Sequence, residues 1–99
     1  MDMKKICLDG IKKDVYIKVL REASEGLDPD MRRIYGRTIE TAAAAPSAML
    51  LTPAQKEISV SALDRYAYQA RGTDEELAAA RDMLDQLRMS RKEYREKYK

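Results

Sequence analysis

An all-α domain, a small bundle of four helices, is what this 99-residue sequence predicts. Three helix-start signals carry that prediction: Asp28-Pro29-Asp30-Met31, Thr52-Pro53-Ala54-Gln55 and Thr73-Asp74-Glu75-Glu76. Each sets a side-chain oxygen where it can accept from the free N–H groups of a first helical turn. Proline follows the cap in the first two, at the helical position where a missing N–H costs nothing. Gln55 and Glu76 stand three residues after Thr52 and Thr73, the spacing of a capping box. Gly26 and Gly72 lie just upstream of two of these starts, where the preceding helix calls for a residue tolerant of positive φ.

The elements follow in order. Residues 1–9 read as a frayed start or as a short strand with no obvious partner. The first helix, about 11–24, places Ile11, Val15, Val19, Leu20 and Ala23 at helical spacing, with Lys12, Lys13, Lys18, Arg21 and Glu22 on the other side. The second, about 29–45, has the cleanest stripe: Met31, Ile34, Tyr35, Thr38, Ile39, Ala42 and Ala45. Gly36 inside it costs about 1 kcal/mol relative to Ala unless a neighbouring helix closes on it, and Pro46 stops the helix. The linker Ser47-Ala48-Met49-Leu50-Leu51 is apolar for a loop, with Leu51 placed to act as a hydrophobic staple before the Thr52 cap.

The third helix, about 53–71, buries Ile58, Ala62, Leu63, Tyr66, Ala67 and Ala70. A sharp turn at Gly72-Thr73 then makes it an antiparallel hairpin with the fourth, about 74–97. The seam of that last helix, Leu77, Ala80, Leu84, Leu87, Arg91, Tyr94, Tyr98, keeps a strict heptad spacing. Counted to Tyr98 it is ~37 Å long against ~28 Å for its hairpin partner, so residues 91–99 are expected to project as a basic helix end. Residues 1–99 form one domain on this reading, with neither a repeat nor an internal boundary.

Charge is unevenly placed. The net charge is +2, too small to demand a polyanionic partner, but residues 1–21 sum to +3, 22–87 to −5 and 88–99 to +4. Cys7 is the only cysteine, so no disulfide can form within the chain, and a reducing, cytoplasmic compartment is expected. The Lys4-Lys5-Ile6-Cys7-Leu8 start resembles a secretion signal only until Asp9 breaks its apolar run. The most apolar stretch, Ala42 to Leu51, contains Pro46 and Ser47 and is too short to span a bilayer, so no membrane partner is expected.

Catalytic chemistry finds little support. The chain has no histidine, which removes the commonest general base and metal ligand, and its four glycines stand apart rather than in a phosphate-binding loop. Asp74-Glu75-Glu76 complements a helix dipole, and Asp82 and Asp85 form an ordinary surface pair. No enzyme, cofactor or metal site is expected. Helices three and four do not form a DNA-reading head, because a major-groove helix opening on three carboxylates would be repelled by phosphate.

What remains is contact surface. Six tyrosines with no Phe or Trp suit half-buried positions and interfaces. The expected function is a small non-catalytic helical interaction module (an adaptor, assembly subunit or self-associating regulator), binding a protein partner or its own copy. Its candidate partner-binding residues are Arg91, Lys92, Tyr94, Arg95 and Tyr98 on the last helix, with Met49 and Leu50 in the apolar linker. The alternative is a nucleic-acid-associated protein that holds phosphate backbone through Arg91, Lys92, Arg95, Lys97 and Lys99.

Overall fold

The computed structural model describes residues 3–88. Four helices are present: α1 (Lys12–Ser24), α2 (Pro29–Ala44), α3 (Pro53–Gln69) and α4 (Asp74–Arg88). They are joined by a feature that the sequence reading left out, a two-stranded antiparallel ribbon of β1 (Lys4–Cys7) and β2 (Ala48–Leu51). The short strand, one of the two readings of residues 1–9, therefore forms and has a partner, and the apolar linker is that partner. Lys4 pairs with Leu51, Lys5 with Leu50, Ile6 with Met49 and Cys7 with Ala48.

The expected caps are in place. Asp28 accepts from the Met31 N–H at 3.0 Å. Thr52 and Gln55 form a reciprocal capping box at 3.0 and 3.2 Å, and Thr73 and Glu76 repeat it at the same distances. Each box satisfies backbone N–H groups that a helix leaves open at its start. At the far end of α2 the Lys13 ammonium donates to the Ala45 carbonyl, a cation where the helix dipole is negative.

Helix α1 sits at the centre and touches each of the other three, while α3 and α4 pack most extensively on one another. Val15, Tyr16, Val19 and Leu20 turn inward from α1, Ile58, Ala62, Leu63 and Tyr66 from α3, and Leu77, Ala80, Met83, Leu84 and Leu87 from α4. The ribbon closes the core with Ile6, Leu8, Met49 and Leu51. Leu51 is thus the buried last residue of β2 rather than a staple. Fully burying one such aliphatic side chain stabilises by about 1.5–3 kcal/mol.

Some stripe positions fall outside the core. Ile11 precedes the first helical turn and is exposed, as is Met31 at the start of α2. Among the described residues, no atom beyond the helix's own nearby backbone would lie within 4 Å of a Cβ at Gly36, so none of them makes a close approach that calls for that glycine. Lys12, expected to face away, instead reaches Asp82 of α4 at 2.7 Å, and Lys18 reaches Glu76 at 3.1 Å. Residues 89–97 of the expected fourth helix lie outside the described residues.

The turn between α3 and α4 corrects another expectation. Helix α3 ends at Gln69, and the left-handed residue after it is Ala70, with φ 51° and ψ 39°. Gly72 is there for space: a Cβ would run into the Tyr66 hydroxyl, 3.0 Å from its ring Cζ and 3.2 Å from the Glu76 Cβ. Tyr66 is buried, so its ring cannot swing freely aside. Gly72→Ala should destabilise by about 1–3 kcal/mol, the range for overpacking. A Tyr66→Phe background should recover part of that loss in denaturant melts, because it removes the atom met first.

Between α1 and α3 lies a buried polar relay. The Ser59 hydroxyl donates to the Gln55 carbonyl at 2.7 Å, which commits its single proton. The Tyr16 phenol, 2.6 Å from Ser59 Oγ, is therefore the donor to it. Burial disfavours the phenolate, and although the Ser59 contact works the other way, the Tyr16 pKa is pushed up to about 12 from 10.0. Between those values the unfolded chain has lost this proton while the folded one keeps it, so folding stability falls as pH rises, by at most about 1.4 kcal/mol per unit. Below pH 10 this contribution is intact. Alkaline melts of the native chain and Tyr16→Phe should diverge between pH 10 and 12, with the native chain losing stability faster.

Candidate functional site

The geometry of the ribbon identifies an open strand edge. Leu8 donates its N–H to the Ser47 carbonyl at 2.7 Å, one step beyond the Cys7–Ala48 pair. Bonded and non-bonded pairs alternate along an antiparallel ladder, so Ile6–Met49 and Lys4–Leu51 are bonded pairs. Lys5–Leu50 and Cys7–Ala48 are not, and they direct their N–H and C=O groups outward, away from the partner strand.

The two outward edges differ. On the β1 side, helix α4 covers the strand, and the Cys7 N–H donates to Gln86 Oε1 at 2.7 Å. Gln86 is fully buried and is held by a second bond from its Nε2 to Asp82 at 3.0 Å. On the β2 side, none of the hydrogen bonds among the described residues reaches the outward backbone groups of Ala48 and Leu50. The open strip has defined ends. Pro46 has no N–H to offer, and the Thr52 N–H is already given to Gln55.

Side chains divide by strand parity. Met49 and Leu51 enter the core, whereas Leu50 lies on the outer face and is 55% exposed. Of the two linker residues singled out from the sequence, then, Leu50 is presented outward and Met49, at 6% exposure, supports the fold from within. Arg91, Lys92, Tyr94, Arg95 and Tyr98 lie outside the described residues, as do the Lys97 and Lys99 of the nucleic-acid alternative. The backbone of Ala48 was missed. The period-two spacing of Ile6 with Leu8, between Lys5 and Asp9, is the one sequence signal that bore on it, and it marks β1 rather than β2.

Two depressions flank this framework. One, of about 430 Å³, lies between α1 and α3 and is lined by Val19, Glu22, Glu25, Arg65, Tyr66 and Arg71 among others. Its acids, Glu22 and Glu25, come from the end of α1 and its bases, Arg65 and Arg71, from α3 and the turn after it. Among the described residues the buried Tyr66 hydroxyl has no hydrogen-bond partner. The Lys18 ammonium stands 5.6 Å from the centre of the Tyr66 ring, within cation–π range. That ammonium is held above its usual pKa chiefly by its hydrogen bond to Glu76. The Glu76 carboxyl is held low, first by the Thr73 backbone N–H and then by Lys18.

The second depression, about 610 Å³, runs along the outer face of α3 over Pro53, Lys56, Glu57, Val60 and Ser61. It begins at Pro53, two residues after the end of β2. Cys7 is in no disulfide and is half-buried, and no cluster of three metal-ligating side chains occurs among the described residues. No helix among the described residues is long and apolar enough to cross a membrane. No family model matches the chain, and no curated protein or solved structure was found to be similar to it.

Proposed function

We propose that the chain is a small non-catalytic helical interaction module that takes an extended partner segment along the outer edge of β2. One observation carries this reading: Ala48 and Leu50 turn backbone donors and acceptors outward beside an exposed Leu50, in a strand without a single charge. Strand edges in folded proteins are usually blunted by charge, proline or a covering element. The β1 edge has such a cover in Gln86 and α4, whereas none of the hydrogen bonds among the described residues covers the β2 edge. An edge of this kind gains affinity from main-chain hydrogen bonds and selectivity from side chains at alternate positions. The single thiol suits a reducing, cytoplasmic setting.

The test is selection from a displayed library of random peptides. The full chain should enrich extended, β-prone apolar peptides, and Leu50→Pro should abolish the enrichment. Proline at this position removes only an outward N–H and leaves the bonds to β1 intact, so circular dichroism of the variant should match the native chain. No enrichment, or enrichment indifferent to Leu50→Pro in a folded variant, would overturn the proposal.

A further inference from the structure

Building on the interaction reading, we infer that the segment seated on the β2 edge is β2 of a second copy of this chain, paired antiparallel about Met49. The stereochemistry of the strip selects this register. Placing Met49 opposite its own copy sets Ala48 opposite Leu50 of the second chain, and Leu50 opposite Ala48. Both become bonded pairs of the new ladder. Every outward N–H and C=O of Ala48 and Leu50 then finds a partner. The strip ends at Pro46 and Thr52, so neither blocked position is called on.

Side chains fit the same register. Directly opposed residues share a face of an antiparallel sheet, so the exposed Leu50 lies over the small, half-buried Ala48 of the other chain on the outer face. A large side chain against a small one, twice over, is self-complementary under a two-fold axis. Shifting the pairing by two residues one way would oppose Leu50 to Leu50 and draw in Thr52, whose N–H is spent; shifting it the other way would oppose Ala48 to Ala48 and draw in Pro46, which has no N–H.

Charge points to the same occupant. Strand β2 is uncharged, while β1 carries Lys4 and Lys5. In the order β1-β2-β2-β1 the two lysine-bearing strands are three steps apart, ~14 Å at the usual strand spacing. That exceeds the screening length of ~8 Å at physiological ionic strength. The alternative self-pairing, β1 against β1, would bring the lysines together and would have to displace Gln86 from the Cys7 N–H. The product is a continuous four-stranded antiparallel sheet with helices on its inner face. Its contact is small, so dissociation constants of ~10 μM to 1 mM are expected, at the weak end of specific association.

The experiment is light scattering on the full chain over a hundredfold concentration range reaching ~1 mM, paired with Leu50→Lys. The substituted side chain is exposed and leaves the core untouched, and helicity is checked by circular dichroism. A second readout, amide hydrogen exchange at Ala48 and Leu50, requires no variant. The expected result is a mass that doubles with concentration, amides at 48 and 50 that become protected in step, and a folded Leu50→Lys chain that stays monomeric. A monomer throughout the range overturns the inference. So does a dimer whose mass ignores Leu50→Lys and whose 48 and 50 amides stay unprotected. The wider interaction reading fails separately: a monomer that still enriches extended peptides through its edge sinks only the self-pairing, while a chain that neither dimerises nor enriches them sinks both.

Discussion

Replacing Leu84 by alanine is expected to cost about 2–5 kcal/mol. Leu84 lies in the middle of the α4 seam, 4% exposed, with Leu77, Ala80 and Leu87 on the same stripe and Met83 beside it. The substitution removes buried methyl groups and leaves a cavity that the surrounding helices can fill only in part. Ala79 and Ala80 are its buried neighbours on α4, and such short side chains cannot reach across to close the gap. A domain of this size has about 5–15 kcal/mol of total stability, so the variant should show a clearly lowered midpoint in urea with an unchanged slope. A loss below about 0.5 kcal/mol would mean that this face of α4 does not pack against the core.

The second large effect is expected at Gln86. Its carboxamide is fully buried and joins two elements, accepting from the Cys7 N–H of β1 and donating to Asp82 on its own helix. Asp82 in turn pairs with Lys12 of α1 at 2.7 Å. Gln86→Leu conserves volume but takes this acceptor away from the part-buried Cys7 N–H, and a lost hydrogen bond of this kind costs about 0.5–1.5 kcal/mol or more. The location of the damage separates this variant from Leu84→Ala. Amide exchange at Cys7 should speed up more than exchange at the centre of α1, because the bond lost is the one that seals the β1 edge. Equal protection of Cys7 in the two proteins would show that Gln86 fills space and no more.

Helix starts were legible because they are local. A cap is a side chain and an N–H three residues apart, so Asp28, Thr52 and Thr73 announce α2, α3 and α4 without reference to anything distant. The buried stripe of α4 was legible for the same kind of reason. Its period is written in the spacing of Leu77, Ala80, Leu84 and Leu87, and all four are buried. The ribbon was hidden because each strand is four residues long and its partner lies about forty residues away along the chain. A run such as Ala48-Met49-Leu50-Leu51, apolar at every position, shows no alternation by which to tell a strand from a linker.

The same division holds for the candidate site. That Met49 and Leu50 are unusual for a loop is a fact of composition, and it pointed to the segment that forms β2. Which of the two faces outward is a matter of register, and register exists only once β1 has paired. Tyr66 and Gly72 make the parallel case. Glycine before a capped helix suggested a backbone role, yet Ala70 takes the left-handed conformation and Gly72 clears room for a phenol from the preceding helix. Sequence alone therefore determined where three of the helices begin and that Leu77, Ala80, Leu84 and Leu87 of α4 turn inward, because those depend on bonds and periods within a few residues. Only the tertiary structure decided that β1 and β2 pair, that Gln86 seals one edge, and that Leu50 is left beside the other, because those outcomes depend on groups brought together from distant parts of the chain.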